Sequence, residues 1–283
     1  MTASLDWLER QYWADVISLR PDSRIEKQVA DSRVVRESKA HAATIDLQYG
    51  PYQRQRFDLF RPAGEGPWPL LVFIHGGYWQ LGSKDDWAFL APGWMRRSVA
   101  FATLGYRLLP DVKLEDVVVD VRAGLDFLAK NAEALHLDVR RTVVSGISAG
   151  AQLAAMAVTA AEGATSQLSP VAAVLLSGVY DPRPLQGTTP GAVLGNLRSS
   201  LLSGISPLGR PPPFDCRCLI AWGADETTVF HTQSQTLAGH WANWGVNAPV
   251  VCLQNTNHFT IVDGLIAGGA GAVDKFIVEH LGD

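Results

Sequence analysis

Residues 141–162 read Arg-Thr-Val-Val-Ser-Gly-Ile-Ser-Ala-Gly-Ala-Gln-Leu-Ala-Ala-Met-Ala-Val-Thr-Ala-Ala-Glu. The first part, Arg141–Gly146, is a short apolar run of the kind buried on both faces of a parallel sheet. The last part, Ala149–Glu162, is rich in Ala, Leu and Met and predicts a helix ended by Gly163. Between them stands Gly146-Ile147-Ser148-Ala149-Gly150, a G-x-S-x-G pattern. In a chain with 26 glycines the pentapeptide alone is weak. A strand running in and a helix running out strengthen it. A serine on such a sharp turn needs glycines two residues to either side, where side chains would clash.

Outward from this stretch the same alternation continues. Short apolar runs at 70–74, 99–104, 171–176, 218–222 and 250–253 predict strands. Helical patterns lie at 87–97, 117–131, 232–244 and 260–280. Thr44–Tyr49 and Gln55–Phe60 flank a turn containing Gly50-Pro51 and predict a hairpin. Leu5, Leu8, Tyr12, Trp13, Val16 and Ile17 recur at spacings of three and four, so residues 1–40 predict a helical arm. Together these predict an α/β fold, with a mostly parallel central sheet of about eight strands and helices on both faces. The spacing is too uneven for a closed barrel of eight strand–helix units. Length gives a prior of about two domains, but one α/β domain spanning 1–283 fills it. The Pro-, Gly- and Ser-rich stretch 181–214 forms either a small cap or a long loop.

Composition excludes other classes. Hydrophobic residues make up 47% and charged residues 18%, which supports a large core and rules out disorder. The net charge of −4 offers no basic face for nucleic acid. Cys216, Cys218 and Cys252 are too few and too oddly spaced for a disulfide framework or a zinc site, so reduced thiols are expected. The N-terminus lacks the pattern of a signal peptide, and no apolar run reaches the length of a membrane span. A cytoplasmic protein is expected, with no membrane partner.

The serine calls for partners. Chemistry at an acyl carbon builds negative charge on oxygen, which N–H groups must meet. His75-Gly76-Gly77-Tyr78-Trp79 follows the apolar run 70–74, so the N–H groups of Gly77 and Tyr78, with that of Ala149, are candidate donors. His75 precedes the glycines and the serine and reads as a structural histidine bracing the loop. In this order of motifs the acid and the base follow the serine. His258 lies in a polar loop after the strand 250–253, where catalytic residues collect, and is the candidate base. His231, His240 and His280 fall on or beside helices. Asp225, just past the strand 218–222, is the candidate acid; Glu226 and Asp181 compete with it. Tyr78 and Trp79 are candidate substrate-binding residues, with Trp87, Trp7, Tyr12 and Trp13 as further pocket walls.

These residues resemble a known family, the kynurenine formamidase (arylformamidase) type of α/β-hydrolase, related to the hormone-sensitive-lipase-like esterases. The likeness is carried by His75-Gly-Gly-Tyr-Trp79-Gln80 with Ser83-Lys84-Asp85, and by Gly105-Tyr-Arg-Leu108 near Pro110. It continues through Gly146–Leu153, Ser177–Asp181, Gly223–Thr227 with Phe230 and Gln233-Ser234, and Asn257-His-Phe259. It runs from about residue 8 to 265. The resemblance implies the α/β-hydrolase fold and a Ser148–His258–Asp225 triad. It also implies hydrolysis of an aryl N-formyl amide such as N-formylkynurenine, with no metal or other cofactor. A carboxylesterase or amidase for another small aryl substrate is the alternative, and a non-catalytic binding protein on the same fold is a third. An exposed C-terminal or cap surface leaves room for a homodimer contact, though no pattern marks one.

Overall fold

The computed structural model describes residues 3–38, 42–159, 168–195, 197, 202–213, 215–269 and 271–282. Eight strands form one sheet: β1 (Ala42–Gln48), β2 (Arg56–Arg61), β3 (Trp68–Ile74), β4 (Ala100–Leu104), β5 (Leu137–Ile147), β6 (Ala172–Leu176), β7 (Arg217–Gly223) and β8 (Val250–Leu253). Their order is β1-β2-β4-β3-β5-β6-β7-β8. β1, β2 and β4 pair antiparallel, and every pairing from β4 through β3 to β8 is parallel. The helices are α1 (Leu5–Glu9), α2 (Asp15–Ser18), α3 (Asp22–Glu37), α4 (Ala91–Met95), α5 (Leu114–Lys130), α6 (Ala149–Val158), α7 (Leu202–Ile205), α8 (Thr228–Asn243) and α9 (Ala272–Leu281). A π-helical turn, Arg10–Ala14, joins α1 to α2. Among the described residues no helix is long and apolar enough to cross a membrane.

The continuous apolar strands have two destinations. Leu70, Val72 and Ile74 of β3 join one core, and Leu71 and Phe73 join the other. β7 divides the same way, Cys218 and Ile220 against Leu219 and Ala221. Side chains alternate along a strand, so a strand covered on both faces must be apolar at every position. The first core is closed by α5, α6, α8 and the N-terminal arm, which contributes Tyr12 and Val16. The second is closed by residues 88–94 and by α9.

Two helical expectations shift in detail. The predicted 87–97 helix is a 3-10 turn, Lys84–Leu90, followed by α4. Pro92 stands in the first turn of α4, where a missing N–H costs nothing, so the α-helix starts there. The predicted 260–280 helix is a 3-10 turn, Ile261–Leu265, and then α9. Gly268, at φ 97°, lies with Gly269 and Gly271 between them, and glycine is a poor helix former. The helix after Ser148 is described only to Val158, and its predicted end at Gly163 lies outside the described residues. Within 181–214 the described residues form short turns, Arg183–Leu185, Ala192–Leu194, α7 and Pro207–Gly209. Residues 196, 198–201 and 214 of that stretch, and residues 1, 2, 39 and 40 of the predicted arm, lie outside the described residues.

A buried ionic cluster ties the arm to the sheet. Asp58 on β2 is fully buried and accepts from Arg36 Nε of α3 at 2.7 Å and from Lys84 Nζ at 2.6 Å. Lys84 also reaches Asp46 and Asp85, each at 2.7 Å. The carboxylates of Asp46, Asp58 and Asp85 converge to within 4.8 Å of one another, and the Lys84 ammonium stands among them. Removing one partner of such a group leaves buried charge without compensation. Asp58→Ala is therefore expected to destabilise the fold by about 3–5 kcal/mol. Urea unfolding checks this, and a loss below about 1 kcal/mol would contradict it.

Candidate active site

β5 ends at Ile147 and α6 starts at Ala149, so the whole turn falls on Ser148. Its backbone has φ 56° and ψ −121°, a strained conformation for a residue with a side chain. The flanking glycines are dictated by close backbone contacts. A Cβ on Gly146 would lie 2.2 Å from Gly150 O, and one on Gly150 would lie 2.1 Å from Ile74 O. The turn therefore packs against the end of β3 with no room for side chains.

The loop after β3 meets the serine from the other side. A Cβ on Gly76 would lie 3.2 Å from Ser148 Cβ. Gly77 has φ 117°, and a Cβ there would lie 2.3 Å from Leu81 O. Tyr78 and Trp79 also have positive φ, 52° and 60°. The N–H groups of Gln80 and Leu81 both donate to Gly77 O at 2.9 Å. Those of Gly77, Tyr78 and Ala149 donate to no acceptor among the described residues. His75 is buried under this loop, stacked on Tyr106 with ring centroids 4.2 Å apart. Its Nδ1 lies 2.8 Å from Gly76 O, and burial lowers its pKa to about 4. It is thus a neutral bracing residue, as the sequence suggested.

His258 follows β8 in a turn where Asn257 Oδ1 accepts from the N–H groups of Phe259 and Thr260. Its ring lies 4.2 Å from that of Phe230, and its Nδ1 is 2.8 Å from Glu226 Oε1. The other oxygen of Glu226 accepts from Ser177 Oγ at 2.8 Å and Gly223 N–H at 3.1 Å. A Cβ on Gly223 would lie 2.1 Å from Thr256 O, so the end of β7 presses on the loop that carries the histidine.

This corrects the acid. Asp225, the sequence-predicted partner of His258, is exposed, and its N–H donates to Thr256 O. The tight turn Gly223–Glu226 points position 225 outward and position 226 inward, and the longer Glu226 side chain spans the gap. The other competitor, Asp181, pairs with Arg183 at 2.5 Å. Among the other histidines, His231 lies 3.1 Å from Gly223 O and His280 2.7 Å from Phe276 O.

Ser148 and His258 line one cavity of about 310 Å³ with Gly76, Gly77 and Tyr78. Tyr78 is placed there as expected, edge-on to Trp13 at 5.8 Å. Trp79 is not. It is fully buried, and its indole N–H donates to Gln152 of α6 at 3.0 Å, so it anchors the loop to the core. Trp13 and Trp87 line the cavity; Trp7 and Tyr12 do not. Val16 and Ile17 of α2, Ile25 and Val29 of α3, and Arg20 between them also line it, a role for the arm's aliphatic residues that the spacing did not single out. A helical repeat alone does not say what a helix packs against.

Against known proteins, residues 57–173 match the BD-FAE family model. The chain is 27% identical to kynurenine formamidase of Danio rerio, over 93% of this chain and 92% of that one. A crystal structure from Silicibacter sp., described as a candidate thioesterase, superposes with TM-score 0.83 at 26% identity, covering 94% of this chain and 97% of that one. Esterase B of Lactobacillus rhamnosis superposes with TM-score 0.74 at 20% identity, covering 99% and 95%. The chain thus has the α/β-hydrolase fold, resembles the kynurenine formamidases over most of its length, and is a hydrolase of the α/β type.

The buried imidazole of His75 has a consequence for stability. Unfolded, it titrates near 6.5; folded, near 4. Between those values the unfolded chain takes up a proton that the folded one refuses. Its contribution is intact above pH 6.5 and falls as pH drops toward 4, by on the order of 3 kcal/mol. His75→Phe, which cannot titrate, should show a flatter stability profile over that window in denaturant titrations. An equally steep profile would contradict the assignment.

Proposed function

We propose that the chain is a serine hydrolase that cleaves a small aryl N-formyl amide through an acyl-enzyme. The observation that carries this reading is the shared cavity. Ser148, on its strained turn, faces a loop with spare N–H groups, and His258 is held by Glu226 at 2.8 Å. A carboxylate on Nδ1 fixes the tautomer that leaves Nε2 free to act as a base.

In this mechanism Ser148 Oγ attacks the formyl carbon while His258 Nε2 takes its proton. Glu226 stabilises the imidazolium. The negative oxygen of the tetrahedral intermediate is met by the N–H groups of Gly77, Tyr78 and Ala149. The C–N bond then breaks, His258 returns the proton to the arylamine nitrogen, and the formyl group stays on Ser148. Water, deprotonated by the same histidine, attacks the acyl-enzyme, releases formate and regenerates the serine. The aromatic walls Trp13, Tyr78 and Trp87 suit a flat leaving group. The likeness to esterases supports a second reading, an aryl ester as substrate, which uses the same steps with an alcohol leaving.

Ser148→Ala is expected to abolish turnover of both a formanilide and an aryl ester, and to block fluorophosphonate labelling. Retained turnover of both would sink the scheme. A panel that includes N-formylkynurenine separates the two substrate readings. Glu226→Gln is expected to lower kcat by about 10²–10⁴, whereas Asp225→Asn should stay within about twofold of wild type, as surface changes usually do. Steady-state kinetics on the two variants decide between the acids, and the reverse pattern would restore Asp225.

A further inference from the structure

The arm meets the catalytic loops at one unusual place. In the π turn Arg10–Ala14 the Asp15 N–H donates to Arg10 O, five residues back instead of four. Such turns are rare and concentrate at functional sites. Two successive carbonyls of this turn accept hydroxyls from two different active-site loops. Thr227, next to Glu226, donates to Gln11 O at 2.7 Å, and Tyr78, in the loop after β3, donates to Tyr12 O. A third donor, Gln233 of α8, reaches Tyr12 Oη at 2.8 Å.

The Thr227 bond is informative because of where the residue stands. It is the N-cap of α8, where a threonine hydroxyl ordinarily accepts from its own helix. Here it makes no such bond and is turned over to the arm. Trp13 of the turn itself, with Val16, Ile17 and Arg20 just beyond it, forms one wall of the cavity that holds Ser148 and His258.

We propose that the π turn is a clamp, in which Thr227 and Tyr78 hydroxyls hold the arm so that Trp13, Val16 and Ile17 form the site's selective wall for a flat apolar aryl group. Thr227 and Tyr78 act here as positioning residues, through the arm. The inference rests on the hydrolase reading above and adds which residues set the substrate class. It makes selection for the aryl group depend on two hydroxyls that need not touch the substrate.

The test compares a 2-naphthyl ester with the methyl ester of the same acid. Thr227→Val should lower kcat/KM for the naphthyl ester about tenfold, the order of one lost buried hydrogen bond, mainly through KM. The methyl ester should stay within about twofold, and Thr227→Ser, which keeps the hydroxyl, should restore the wild-type ratio. Tyr78→Phe should lower the same ratio, and both variants should be cut faster by trypsin after Arg10. Equal losses on both esters, no change in the ratio, or failure of the serine variant to restore it overturns the clamp. If the wild type turns over neither ester and takes no fluorophosphonate label, the hydrolase reading itself fails. The clamp is then decided by trypsin, and unchanged cleavage in Thr227→Val overturns it.

Discussion

The backbone of Gly150 runs so close to the carbonyl oxygens of Ile74 and His75 that no Cβ fits between them. This contact locks the first turn of α6 to the end of β3. The turn at Ser148 and the loop after β3 therefore cannot move independently. Groups that act together must be held to within a fraction of an ångström, and here main-chain contact between the Ser148 turn and the end of β3 supplies the first restraint. The strain at Ser148, Tyr78 and Trp79 is tolerated because backbone on both sides leaves no relaxed alternative.

The loop after β3 is also held at both of its ends. At the near end, the Tyr78 hydroxyl reaches the arm and the Trp79 indole reaches α6. At the far end, Arg54 donates to Gly82 O at 2.6 Å, and Lys84 is bound by the buried Asp58. Arg36 of the arm joins the same carboxylate. The arm thus grips this loop twice, through the π turn and through the ionic cluster, and lines the cavity in between. It is part of the frame of the cavity that Ser148 and His258 line.

Much of this was legible in the sequence because it follows from local chemistry. A strand buried on two faces must be apolar throughout, so β3–β7 announced themselves. A serine between two glycines at a strand end, and a histidine in the loop after the last strand, stood out by their positions. What escaped depends on direction. Asp225 and Glu226 are neighbours with the same chemistry, and only the twist of the turn after Gly223 decides which one faces His258. Trp79 adjoins Tyr78 in the chain, yet consecutive residues with left-handed backbone send one side chain into the cavity and the other into the core. The part played by α3 was hidden for another reason: its residues show no apolar stripe, since it meets the body through Arg36, Gln28 and Ser32 as much as through hydrocarbon.

His75 shows how a residue outside the chemistry can still direct it. The peptide between Gly76 and Gly77 is planar, so its C=O and its N–H point in opposite directions. His75 Nδ1, 2.8 Å from Gly76 O, fixes that carbonyl on the buried side. The Gly77 N–H must then face the other way, toward the cavity where Ser148 lies. This bond requires the proton to sit on Nδ1, which leaves Nε2 bare, and Nε2 is indeed buried without a partner. A bare acceptor in an apolar setting is cheaper than a buried charge, which agrees with the depressed pKa of this ring. The histidine that heads the His-Gly-Gly motif thus aims a backbone donor while remaining neutral and outside the cavity that Ser148 lines.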